Sequence, residues 1–357
     1  MSVSADSGIS LEELRLAARN HAMPLEALRW PITPAGLHYL LIHYDVPLVE
    51  PGSFRLEVGG AVGQTLSLSL DELRARPSVE VAVTMECAGN GRALLEPRPI
   101  SQPWLTEAVG TARWRGVPLA ALLDEVEPAA SAADVVFGGL DRGVEAEVEQ
   151  RYERSLPLAE ARGAGCVLAY EMNSAPLLPQ HGFPLRLVVP GWYGMTNVKW
   201  LSSITVTEEP FAGYQVAHAY RFRRSEDEEG RPVTRMRPRS LMAPPGIPDF
   251  FTRDRVVAGG APVVLEGRAW SGKAPIVRVE VSDDAGASWA EGDLVHDLRD
   301  PFAWSGWSFR WEPASPGPYT LCCRATDGTG EAQPLEPEWN LGGYENNAVQ
   351  RVPVVVR

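Results

Sequence analysis

The residues best able to do chemistry lie in two stretches. In the first, "TMECAGNGR" (Thr84 to Arg92), Cys87 follows an alternating apolar run and precedes small, turn-forming residues. Such a thiol is a small buried hydrophobe, a nucleophile or a metal ligand. The glycines and asparagine after it allow tight turns and close approach of backbone to a ligand, which a purely structural thiol does not need. The second stretch, "LAYEMNSAPLLPQHGFPLRLVVPGWYGMTNVKW" (Leu168 to Trp200), gathers His181, Arg186, Asn197 and Lys199 on or beside strand ends. Either these are solvated edge residues, or the cations hold a phosphate while the histidine and asparagine bond a polar ring. Residue chemistry alone leaves the two readings level.

The elements that must position these groups are legible in outline. "SLEE" (Ser10 to Glu13) and "SLDE" (Ser69 to Glu72) read as capping boxes, opening one helix that runs through Ala18 and another stopped by Pro77. "VEVAVTM" sets Val79, Val81, Val83 and Met85 on alternate positions, which predicts a strand with one buried face and puts Cys87 just past its end. Pro118 to Val126 reads as a helix with proline in its first turn. "DVVFGGLD", "CVLAYEM", "PLRLVVPG" and "VKWLSSITV" read as strands. Helices and strands alternate without a βαβ rhythm, so the expected class is α+β. Charge and proline make Arg223 to Phe250 an extended connector. Only strand signals follow it ("PVVLEGRAW", "IVRVEVS", "YTLCCRATD", "RVPVVVR"), as in an antiparallel sandwich of about 100 residues. The expected division is 1–235 and 236–357.

The chain has 357 residues, with 33 Lys and Arg against 46 Asp and Glu, a formal charge of -13. That balance argues against nucleic acid as a partner and permits steering of a basic protein. No apolar run reaches the length of a membrane span. "MSVSADSGIS" lacks the basic and apolar regions of a signal peptide, which predicts a soluble cytoplasmic protein, or a periplasmic one if a leader was removed. The four cysteines form no C-x-x-C pair. Cys322 and Cys323 are neighbours in a strand, so one is expected inside and one outward.

Taken together, "ECAGNGR", "LAYEMN", "HGFPLRLVVPG", "NVKWL" and "EWNLGGYENNAVQRVPV" resemble, in order, the signatures of the sulfite oxidase family of molybdenum enzymes. The resemblance runs from about Leu25 to Arg357. It implies a mixed α/β molybdopterin-binding domain followed by an all-β immunoglobulin-like domain that makes homodimers. It implies that Cys87 ligates molybdenum, and that His43, Asp141, His181, Arg186, Asn197, Val198 and Lys199 cradle the pterin. It implies two-electron oxygen-atom transfer, foremost oxidation of sulfite, with reduction of nitrate, an S-oxide or an N-oxide as the alternative enzyme reading. A non-catalytic protein that kept the fold is the alternative outside enzymes. The family often adds a haem domain. With no C-x-x-C-H motif here, no haem is expected in this chain, and electrons would leave to an external acceptor such as a cytochrome c.

For the substrate, the resemblance implies a small-oxyanion pocket with Arg92, Trp104 and Tyr220. Two of the family's arginines are replaced, by Leu41 and by Gly342. His38, His218, Arg221 and Arg223 are candidates to compensate. The histidine of "ARNHAMP", His21, lies upstream of the aligned motif and is expected at the surface.

Overall fold

The computed structural model describes residues 8–145 and 147–357. Both capping boxes form: Ser10 opens the helix Leu11–Ala17 and Ser69 opens Leu70–Ala75, each with reciprocal bonds to the glutamate three residues on. A cap of this kind contributes about 1 kcal/mol.

The first part of the chain holds two five-stranded sheets. One is ordered Leu66–Leu68, Leu56–Gly60, Leu201–Thr207, Asp134–Glu145, Val148–Pro157; the other runs Val79–Glu86, Val109–Pro118, Val167–Met172, Ala175–Pro176, with Arg186–Val188 also paired to Val167–Met172. Leu56–Gly60 pairs parallel to Leu201–Thr207, and the remaining ladders here are antiparallel. Leu119, Leu122, Leu123 and Val126 of the helix Leu119–Val126 pack with Leu56, Val135, Leu187 and Ile204 in one apolar core. The balance is more strand-rich than the sequence suggests, because the described α-helices are at most eight residues long.

The later part is two sheets around a second apolar core. Arg239–Ala243, Val263–Trp270, Ser305–Trp311 and Asp293–Val295 face a six-stranded sheet that contains Ile276–Ser282, Gly317–Asp327 and Gln350–Val356. Leu265, Trp307 and Trp311 from one sheet meet Leu321, Cys323, Val352 and Val354 from the other.

Three local expectations are corrected. The stretch Arg223 to Phe250 is not a connector: Arg231–Pro232 pairs with Arg221–Phe222, and Arg239–Ala243 is a fully buried strand laddered to Val263–Trp270. Val79–Glu86 buries both faces from Ala82 onward. Val83 and Met85 enter a core beneath the site, while Thr84 on the other face donates its backbone N–H to Phe302 O and accepts from Trp304 N. Cys322 and Cys323 are both buried, Cys323 in the core and Cys322 on the opposite face near Arg351 and Asp284.

Candidate active site

Cys87 leaves the strand Val79–Glu86 in a turn that Asn90 clamps. Asn90 Nδ2 donates to Glu86 Oε1 (3.0 Å) and Thr106 O (2.9 Å), and its Oδ1 accepts from Ala108 N. Cys87 N donates to Ala108 O, and Asn90 N to Cys87 O. Gly91 has φ 88°, and a Cβ there would lie 2.8 Å from Asn346 Nδ2. A Cβ at Gly89 would lie 2.4 Å from Arg92 Nη2. The "AGNGR" spacing therefore folds Arg92 back over the turn. The thiol itself is buried and free.

Cys87 opens into a cavity lined also by His38, Tyr39, His43, Asp141, Tyr152, His181, Arg186, Asn197, Lys199 and Tyr220. Arg186 is the most telling. It is buried and, among the described residues, pairs with no carboxylate: Nη1 donates to His181 O (3.1 Å), Nη2 to Asn197 O (3.3 Å) and Met85 Sδ (3.6 Å), Nε has no partner, and the guanidinium lies 4.6 Å from the Trp114 ring. Lys199 is half-buried and likewise meets no carboxylate among the described residues, donating to Leu41 O (2.8 Å) and Gln180 O (3.2 Å). It reaches there because Gly182, at φ 102°, leaves its Cβ and Cγ room. Burial pulls the Lys199 ammonium down to about 7 and the Arg186 guanidinium to about 10. Burial raises Asp141 to about 7, and its Oδ1 has no partner.

The imidazoles are neutral. Burial lowers His38 to about 4, His43 to about 3 and His181 to about 2. His38 packs edge-on to His181 at 5.7 Å, bonds Tyr39 O through Nδ1, and leaves Nε2 without a partner. His43 Nε2 lies 2.5 Å from Tyr220 Oη and its ring stacks on Tyr152. Burial pushes the Cys87 thiol up, opposed by the Arg92 charge and by the Trp104 indole N–H, which finds no other acceptor.

These features test a cofactor. Among the described residues no three His, Cys, Asp or Glu side chains converge on one metal position. One soft thiolate donor suits a soft-ligand metal that brings its remaining ligands with it. Among the described residues, the buried Arg186 and half-buried Lys199 meet no carboxylate, and polar atoms of His38, Asp141 and Arg186 lack partners, which suits a polar, anionic guest. The residues fit a phosphorylated, metal-carrying cofactor.

Comparison with known proteins agrees. Residues 43–215 match the family model "Oxidoreductase molybdopterin binding domain", and residues 250–357 match "Mo-co oxidoreductase dimerisation domain". The chain is 34% identical to chicken (Gallus gallus) sulfite oxidase over 90% of its own length and 72% of that protein's. This chain belongs to the sulfite oxidase family of molybdopterin oxidoreductases. It is 36% identical to mitochondrial sulfite oxidase of Mus musculus, covering 91% of itself and 62% of that protein, so it spans less than two thirds of such relatives. It is also 31% identical to an NADH nitrate reductase of Volvox carteri over 90% of itself and 40% of that protein. The solved sulfane dehydrogenase SoxCD of Paracoccus pantotrophus shares the fold, with a TM-score of 0.80 at 23% identity over 98% of this chain and 92% of that one.

Of the family's sequence-derived positions, His43, Cys87, Asp141, His181, Arg186, Asn197, Lys199 and Tyr220 come together at the cavity. Val198 does not: its side chain is in the first apolar core, and its backbone bonds Thr196 O and Leu187 N. Arg92 and Trp104 adjoin Cys87 outside the cavity lining, and Arg92 donates to Gly342 O (2.9 Å) and Gln102 O (3.2 Å). Among the candidate compensating groups, His218 is exposed and Arg221 pairs with Glu229. His21 is exposed, as expected. Of those compensating candidates His38 does line the cavity, whereas sequence reasoning missed Arg154 altogether. A glycine signals His38, because a Cβ at Gly110 would lie 2.6 Å from its ring. No local motif marks Arg154.

Proposed function

We propose that this chain is a molybdenum enzyme that oxidises sulfite to sulfate and passes electrons to an external acceptor such as a cytochrome c. The observation that carries the reading is one cavity lined by a buried free thiol, the buried Arg186 and the half-buried Lys199, neither cation paired with a carboxylate among the described residues. Molybdopterin, when bound, supplies two-electron oxygen-atom transfer. Cys87 Sγ would hold the metal, whose charge would keep the thiol ionised against its burial. Arg186 and Lys199 would meet the phosphate with charge-assisted donors. His43, Asp141, His181 and Asn197 would bond the polar ring, the neutral imidazoles donating or accepting as the ring requires. Arg92, Trp104 and Tyr220 would wall the substrate side of Cys87.

A second reading is reduction of nitrate or an S- or N-oxide, and one observation favours it for the neutral oxides. Leu41 and Gly342 carry no charge where relatives aim cations at an oxyanion. The later pair of sheets, about 236–357, is read as an immunoglobulin-like module through which two copies pair. Trp270, Trp304, Trp307 and Trp311 are buried within the chain and are not free to form that contact.

The test is molybdenum content of the purified protein with sulfite-dependent reduction of cytochrome c, beside reduced-dye assays with nitrate and dimethyl sulfoxide. Cys87→Ser should keep the melting transition and abolish turnover. Near-wild-type turnover in that variant, or a wild type without molybdenum after expression with the cofactor available, refutes the reading. Turnover of nitrate or the S-oxide without sulfite turnover selects the second.

A further inference from the structure

Arg154 stands on the strand Val148–Pro157, two residues from Tyr152 and on the same face. Tyr152 lines the cavity and stacks on His43, so that face looks toward the site. Arg154 is 4% exposed and forms no ion pair among the described residues. Its Nη1 donates to Gln215 O, and its Nε has no acceptor. A buried guanidinium in this state is costly unless an anion completes it.

The surroundings say where such an anion would sit. The Arg154 guanidinium lies 5.4 Å from the Tyr220 ring centroid. Tyr220 stacks at 5.2 Å on Tyr344, and Arg92 lies 5.3 Å from the Tyr344 ring on the side that reaches Cys87. Tyr220 Oη meets His43 Nε2. Two arginines thus flank one tyrosine pair beside the thiol. They differ in freedom: Arg92 has Nε and Nη1 engaged by carbonyls, whereas Arg154 keeps Nε unmatched. Arg186 is not an alternative, since it is stacked on Trp114 and tied to His181 and Asn197.

We propose that Arg154 is the guanidinium that binds the substrate oxyanion in this chain, standing in for the cations absent at Leu41 and Gly342. The assignment rests on the oxyanion-handling function proposed above and adds the residue that recognises the charge. Arg154 offers the planar fork that matches a tetrahedral or trigonal oxyanion, held rigid by the Tyr220 face and the Gln215 carbonyl. Its function is binding, so its loss raises KM more than it lowers kcat.

The experiment uses the molybdenum-loaded enzyme as Arg154→Gln, Arg154→Lys and Arg92→Gln. Steady-state kinetics with sulfite and nitrate are run beside isothermal titration of sulfate and nitrate as non-reacting probes, with molybdenum content and melting temperature for each variant. Arg154→Gln should keep its molybdenum, raise the KM of the reactive anion at least tenfold, and weaken sulfate or nitrate binding to match. Arg154→Lys should recover part of both, because it restores the charge without the fork. If Arg154→Gln fails to fold, the lysine variant decides, since unchanged anion affinity there removes any need for a guanidinium. Sulfite turnover with unchanged KM and sulfate affinity in the Arg154 variants overturns this assignment and leaves the function standing. Turnover of nitrate alone, lost in Arg154→Gln, overturns the sulfite reading and upholds Arg154. A loaded wild type that binds and turns over none of these anions overturns both.

Discussion

Met85 and Glu86 are adjacent in one strand, and their side chains leave it on opposite faces, each to a buried arginine. On one face Arg186 touches Met85 and finds carbonyl oxygens, a thioether and the Trp114 ring but, among the described residues, no carboxylate. On the other Arg239 meets Glu86 Oε1 at 2.8 Å and Asn346 O at 2.7 Å, while Trp270 Nε1 donates to Glu86 Oε2 at 2.9 Å. Burial is the same, with Arg239 1% and Arg186 5% exposed. The difference is the counter-charge. A buried cation that the chain itself neutralises holds structure together. One that it leaves unneutralised is prepared for a ligand. A buried ion pair is weak evidence for net stability, yet removing one partner strands the other.

The sharpest way to break this contrast is Arg239→Met. It leaves Glu86 buried and uncompensated, so unfolding in urea should show a loss of about 3–5 kcal/mol. A loss below about 1 kcal/mol would mean that Glu86 is relieved some other way and that the two faces do not differ as argued.

Asp141 tests the cavity side with pH as the variable. Its folded-state value is raised to about 7 from the usual 3.8. Between those values the folded chain holds a proton that the unfolded chain has released, so stability falls as pH rises from 4 to 7, and the cost is fully present above 7. Asp141→Asn does not titrate. In cofactor-free protein its stability relative to wild type should therefore grow across that window, reaching at most about 4 kcal/mol near neutrality. Lys199 runs oppositely: its lowered value makes its cost greatest below about 7 and relieves it as pH rises toward 10. Denaturant titrations at pH 5, 7 and 9 separate the two, and a flat Asp141→Asn difference contradicts the burial argument.

Arg186→Met should have the smallest effect on stability, within about 1 kcal/mol in cofactor-free protein, because no carboxylate is stranded and a desolvated charge is removed. Molybdenum recovered with the purified variant should nonetheless fall severalfold. Full occupancy would place the phosphate elsewhere.

The two faces also differ in how far they were legible. The capping boxes, the strand before Cys87 and the tight "AGNGR" turn are set by neighbours within a few residues, and local pattern exposes them. His43, Asp141, His181, Arg186, Asn197 and Lys199 were marked because they fall in recognisable motifs, and the fold gathers them. Val198 belongs to the same motif as its neighbours, yet in this irregular segment its side chain faces the core. Arg239 hid inside a stretch whose charge and proline suggested a connector, because its strand partner Trp270 is 31 positions along the ladder's far arm. Arg154 hid for a different reason: whether a strand arginine is solvated or buried depends on what covers it, and here Tyr220 and Gln215 do so from a distant segment.

The Glu86–Arg239 contact has a consequence in time. The partners are 153 residues apart, and a ribosome adding about 5–20 residues per second needs roughly 8–30 s to make that interval. Throughout it the turn bearing Cys87 has its local clamp, Asn90, but not the anchor that fixes the strand end from behind. The nascent chain therefore passes through a stage in which the thiol's mounting is complete on one side only. Arrival of the strand Arg239–Ala243 begins to close that stage, and Trp270, Phe302 and Trp304 complete it, so a chain stalled or cut before residue 239 would present the thiol on a strand end without these far-side partners.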